Sequence, residues 1–166
     1  MTGDYEYICG LLESGSVEEL DELALLVDGF PHGEDDSGGR RWILSAIDRG
    51  SLRAISWMLE QKVDLAFSDD EGFPALLSAI DSGRADKYQI LELLLENGAP
   101  TDVRGINDWT PLHMAAARND VRALELLLDY GADATARTRI DDYATPLEEA
   151  RILGAGDAVA YLETLG

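Results

Sequence analysis

Few side chains in this sequence are suited to chemistry. It holds two histidines, His32 and His113, and one cysteine, Cys9. A catalytic or metal-binding histidine needs convergent partners within hydrogen-bond reach. His113 stands in Thr110-Pro111-Leu112-His113, and His32 lies far upstream in a loop. Cys9 sits among Ile8, Leu11 and Leu12 with no histidine nearby in sequence to make it a thiolate, so it reads as a small buried apolar residue. One cysteine also permits neither an internal disulfide nor a cysteine metal cluster. The acidic stretches "GEDDSGG" at 33–39 and "SDDEG" at 68–72 resemble calcium loops superficially. Counting back from Gly72 and from Gly38 places Phe67 and Gly33 in the first ligand position, and both fail the EF-hand pattern. The sequence has no glycine-rich phosphate loop and no Gly-x-Ser-x-Gly elbow. No enzyme, metal or cofactor site is therefore expected.

The elements that carry these residues follow from composition and repetition. The chain has 166 residues, enough for one domain with a core, and 46% of them are apolar. The longest apolar stretches, such as "LALLV" at 23–27, are too short to span a membrane. The first residues, "MTGDYEYICG", carry acids where a secretory signal carries basic and then apolar residues, so cytoplasmic residence is expected. Acidic residues number 33 against 13 basic, a net charge of −20. Such a field repels nucleic acid and anionic lipid and speeds encounter with basic partners.

The chain also repeats itself. "AIDRG" at 46–50 returns as "AIDSG" at 79–83, and "LLLENGAP" at 93–100 returns as "LLLDYGAD" at 126–133. "SLRAISWMLEQKVD" at 51–64 shares its apolar pattern with "DVRALELLLDYGAD" at 120–133, and "ATPLEEA" at 144–150 echoes "WTPLHMA" at 109–115. Each unit reads as helix, tight turn, helix and extended finger. Thr110 suits an N-cap and Pro111 the first helical turn. Leu112, Ala115 and Ala116 form one stripe, and Val121, Leu124, Leu127 and Leu128 another. Gly131 closes the second helix, whereas Asn119 ends the first where Gly50 and Gly83 stand in sister units, all three suited to a left-handed conformation. Helices this short are unstable alone and must be buried against neighbouring units.

These segments resemble the ankyrin repeat family. The stretch 105–137 is similar to a near-complete repeat through "TPLHMAA" and "LLLDYGAD". The repeat at 69–104 has Pro74-Ala75-Leu76-Leu77 in place of Thr-Pro-Leu-His, and extra residues around Arg84–Asp86 lengthen its turn. The repeat at 36–68 has Arg41-Trp42-Ile43-Leu44 there. Residues 1–35 fit an N-terminal capping helix pair and 138–166 a closing repeat. The resemblance implies an all-α solenoid of about five stacked helix pairs with finger loops, forming a single domain over 1–166. It also implies that His113 is structural, bonding back to Thr110 and to neighbouring backbone.

The acids fall at the fingers: Asp35 and Asp36, then Asp69, Asp70 and Glu71, then Asp108, then Asp141 and Asp142. Stacked at about 10 Å per unit, they would form an acidic ridge about 30 Å long. Phe73 and Trp109 share one register, just before the Pro74 and Thr110 positions. The resemblance places that position on a concave groove used for binding. The residues expected to meet a partner are Asp70, Glu71, Phe73, Asp81, Asn107, Trp109, Arg118, Asp141 and Asp142. The expected function is a non-enzymatic module, monomeric when free. It would bind a basic protein as an inhibitor or as the immunity partner of a toxin or nucleic-acid enzyme. The alternative is a general scaffold or assembly subunit whose acidity serves solubility or salt adaptation, favoured if acids spread over the convex face.

Overall fold

The computed structural model describes residues 5–35, 39–67, 72–140 and 142–166, and among them are ten α-helices and no strand. They form five pairs: α1 (Tyr5–Ser14) with α2 (Val17–Leu26), α3 (Trp42–Arg49) with α4 (Leu52–Glu60), and α5 (Ala75–Asp81) with α6 (Lys87–Glu96). The last two pairs are α7 (Pro111–Ala117) with α8 (Val121–Asp129), and α9 (Pro146–Leu153) with α10 (Gly156–Glu163). First helices pack on first helices from α1 through α9, and second helices on second helices from α2 through α10. The chain is thus two parallel rows of helices, and each short helix is held by the row and by its own pair.

Local chemistry sets where these helices start. Thr110 and Thr145 each cap a helix whose first residue is proline, with the threonine oxygen accepting from the backbone N–H of His113 or Glu148. Ser16 and Glu19 form a reciprocal capping box on α2. Such caps contribute about 1 kcal/mol each. α3 and α5 begin at Arg41 and Pro74 without a side-chain cap bond. Burial holds them instead: Trp42–Ile47 and Ala75–Ile80 are buried throughout. Around α3 the core is aromatic, with Phe30 packed edge-on to Trp42 at 5.6 Å and stacked on Trp57 at 5.7 Å. The Trp57 indole N–H donates to Asp21 at 2.8 Å, tying α4 to α2.

Two expectations about turns are corrected. Asn119 is left-handed, with φ 54°, but Gly50 has φ −74° and Gly83 is not left-handed. Gly50 is required by close approach, since a Cβ there would lie 2.7 Å from the Ala46 carbonyl oxygen. Asn119 spends its amide on the next unit, accepting from Ala158 N–H at 2.8 Å and donating to Asp157 at 2.9 Å. The lengthened turn at Arg84–Asp86 is a clamp. The Arg84 guanidinium donates through Nε and Nη2 to the two oxygens of Asp86 and through Nη1 to the Gly50 and Ile47 carbonyls at the end of α3. Gly131 is left-handed with φ 84°, and Lys62 occupies the equivalent place with φ 61°.

Candidate partner-binding surface

His113 is fully buried, and its ring bonds to Thr110 and to the Ala144 carbonyl. Its Nδ1 accepts from the Thr110 N–H at 3.3 Å and lies 2.8 Å from Thr110 Oγ1, while Nε2 donates to the Ala144 carbonyl at 2.9 Å. These partners define the neutral tautomer with the proton on Nε2. Burial pushes the imidazole below its ordinary value, with the Ala144 carbonyl acting in the opposite direction. The residue therefore fastens α7 to the finger of the next unit.

The fingers are joined by a second polar link. Asp108 follows the left-handed Asn107 and is itself left-handed, at φ 57°. This turn aims its carboxylate at Arg104, at 3.0 Å, and at the Arg139 guanidinium and backbone N–H of the following finger. The Arg139 bonds, and after them the Arg104 charge, hold the Asp108 carboxyl below the usual range against the effect of burial. Asp108 is consequently no part of an open acidic ridge. Asp35 is no part of it either: it is buried and accepts from Ser45 Oγ at 2.7 Å. Asp36, Asp69, Asp70, Glu71 and Asp141 lie outside the described residues.

Three of the expected partner-binding residues come together. Asn107, Trp109 and Asp142 line a groove of about 710 Å³ with Thr138, Ile140, Glu149 and Leu153. Trp109 is half-buried with part of its ring against the core, so it serves packing as well as the groove wall. Phe73 is also half-buried against the core. Asp81 and Arg118 are paired with each other at the ends of α5 and α7. Sequence reasoning missed Ile140 and Leu153, which are 48% and 52% exposed. Leu153 falls three residues after the buried Ala150, a spacing that reads as core, and Ile140 sits in a finger with no periodicity to mark it.

Acids also line the second helices, away from the fingers. Among the second helices, α2 carries four acids, α4 one, and α6, α8 and α10 two each, against single basic residues on α4, α6 and α8. Glu60, Glu96, Asp129 and Glu163 each end one of these helices. The phenol of Tyr130 in this row is pushed up by desolvation and by Glu96, Glu92 and Asp129. Among the described residues no helix is long and apolar enough to cross a membrane, and no three His, Cys, Asp or Glu side chains are placed to hold a metal.

Stacked helix pairs with capped first helices and linked fingers define a helical repeat protein. The family described as "Ankyrin repeats (many copies)" matches residues 84–128. The chain is 31% identical over 122 residues to the RelA-associated inhibitor of Mus musculus, covering 72% of this chain and 14% of that protein. It is 30% identical over 123 residues to the ankyrin repeat and KH domain-containing protein mask-1 of Caenorhabditis elegans, covering 74% of this chain and 4% of that protein. It is 27% identical over 162 residues to alpha-latrocrustotoxin-Lt1a of Latrodectus tredecimguttatus, covering 95% of this chain and 11% of that protein. The chain belongs to the ankyrin repeat family, and it is a protein-binding module. It spans well under half the length of each of these relatives.

Proposed function

We propose that this chain is a non-enzymatic module that captures a basic protein in the groove between its last fingers and α9, and restrains that protein by occupying its surface. The observation that carries this reading is the groove itself, where Trp109, Ile140 and Leu153 supply apolar walls and Asp142 and Glu149 supply carboxylates. Half-exposed aromatic and aliphatic anchors within a charged rim are the composition of an interaction hot spot. A net charge of −20 steers cationic partners toward the molecule before contact. An inhibitory role accords with the name of one relative, the RelA-associated inhibitor.

The test compares capture by the intact chain and by Trp109→Ala. The wild-type chain retains proteins of high isoelectric point, and the variant loses them, with binding weakened by about 2 kcal/mol or more. Retention of neutral or acidic proteins by both would overturn the reading. A second reading has its own support: the second-helix row carries eleven acids, so acidity is not confined to the fingers. That distribution favours a scaffold whose acidity maintains solubility. It predicts partners held equally well when salt is raised from low to physiological concentration.

A further inference from the structure

We infer that the groove beside Trp109 receives an extended segment of the partner in which a bulky apolar side chain stands within two residues of a lysine or arginine. This rests on the binding-module reading above and specifies its ligand. Three apolar side chains from separate elements converge on the groove: Trp109 from one finger, Ile140 from the next, and Leu153 from the end of α9. Ile140 and Leu153 each leave about half their surface in water, at 48% and 52%. That exposure is relieved only when an apolar group enters. A groove of about 710 Å³ accommodates one large side chain with its flanking backbone.

The charges around the groove determine the second half of the motif. Its own carboxylates are those of Asp142, which is exposed, and Glu149, which is half-buried. The nearby arginines are already engaged: Arg137 with Glu148, Arg104 and Arg139 with Asp108, and Arg151 with Glu163. An incoming cation therefore meets Asp142 without facing an uncommitted guanidinium among these four. Asp142 also lines a second cleft of about 510 Å³ with Ala144 and Ile152, so a segment leaving the groove passes this carboxylate. Extended chain advances about 3.3 Å per residue. An apolar anchor and a cation one or two residues apart therefore match an apolar wall and a carboxylate that share one groove.

The test uses the full chain, labelled with nitrogen-15, and a library of capped decapeptides in which every position is varied. At low salt the retained peptides should pair Leu, Ile, Phe or Trp with Lys or Arg within two residues. One such peptide, titrated into the chain, should shift the Trp109 indole signal and the amides of Ile140 and Leu153. Leu153→Gln should weaken it at least tenfold while leaving the melting temperature in place. Asp142→Asn should weaken it and flatten its salt dependence. Retained peptides lacking a basic residue, shifts confined to the second-helix row, or unchanged binding by Leu153→Gln would each overturn the inference while leaving a protein-binding module intact. An empty library overturns it as well. If the chain then still captures a folded basic protein through Trp109, the broader reading stands alone.

Discussion

Replacing His113 tests the link between α7 and the next finger, and the structure sets the size of the effect. The imidazole is 0% exposed and bonds to the Thr110 N–H, the Thr110 hydroxyl and the Ala144 carbonyl. In His113→Ala the Ala144 oxygen keeps the Thr138 N–H at 3.0 Å, so its loss is one ordinary bond of about 1 kcal/mol. The Thr110 N–H loses the imidazole acceptor in a buried place, which costs about 1–3 kcal/mol. With the vacated volume, the total is about 3–4 kcal/mol. Because coupling in a repeat protein is between neighbours, the loss should appear first as opening of α9 and α10. Urea denaturation and hydrogen exchange read both quantities. A cost under about 1 kcal/mol, or exchange raised evenly along the chain, would refute the reasoning.

The same residue predicts a pH dependence. Its folded pKa is depressed, so the unfolded chain takes up a proton first, near pH 6.5. The stability contributed by neutral His113 is complete above that pH and falls as pH drops from about 6.5 toward the depressed folded value. The limiting slope is about 1.4 kcal/mol per pH unit for one proton. The carboxylates held low, among them Asp86, Asp108 and Glu148, add their own loss only near and below the ordinary carboxylate values of 3.8–4.5. Between pH 6.5 and 5, wild type should therefore lose more stability than His113→Gln, a comparison in which His32 and the overall charge cancel. Equal slopes would mean that His113 is not held neutral.

Other expectations follow from single positions. Trp109→Ala, besides weakening capture, should lower stability by about 2 kcal/mol, because the partly buried side chain packs on the core; a thermal melt checks this. Lys62→Gly should raise stability by about 0.5–1 kcal/mol, because Lys62 is held at φ 61° where Gly98 and Gly131 stand in sister units; a urea titration reads it. Gly50→Ala should cost about 1–3 kcal/mol, since its Cβ would meet the Ala46 oxygen at 2.7 Å, and a neutral result by the same titration would contradict the close approach.

The sequence by itself determined the repeating helix pairs, because their signals are local. A threonine before a proline caps a helix within three residues, and leucines three and four apart mark a buried face. Leu124 and Leu127 are buried as that spacing requires, and His113 lies three residues from the Thr110 it bonds. Only the tertiary structure decided what the finger side chains do. Asp108 and Asp142 look alike in sequence, yet one is closed by Arg139 from the following unit and the other is exposed at a groove rim. Gly50 resembles a turn glycine, but what it needs is room for the Ala46 carbonyl. Ile140 and Leu153 share a groove with Trp109 only because successive units stack side by side. Periodicity reports contacts within a helix, whereas a partner one repeat away is set by how the units pack, and no local pattern encodes that distance.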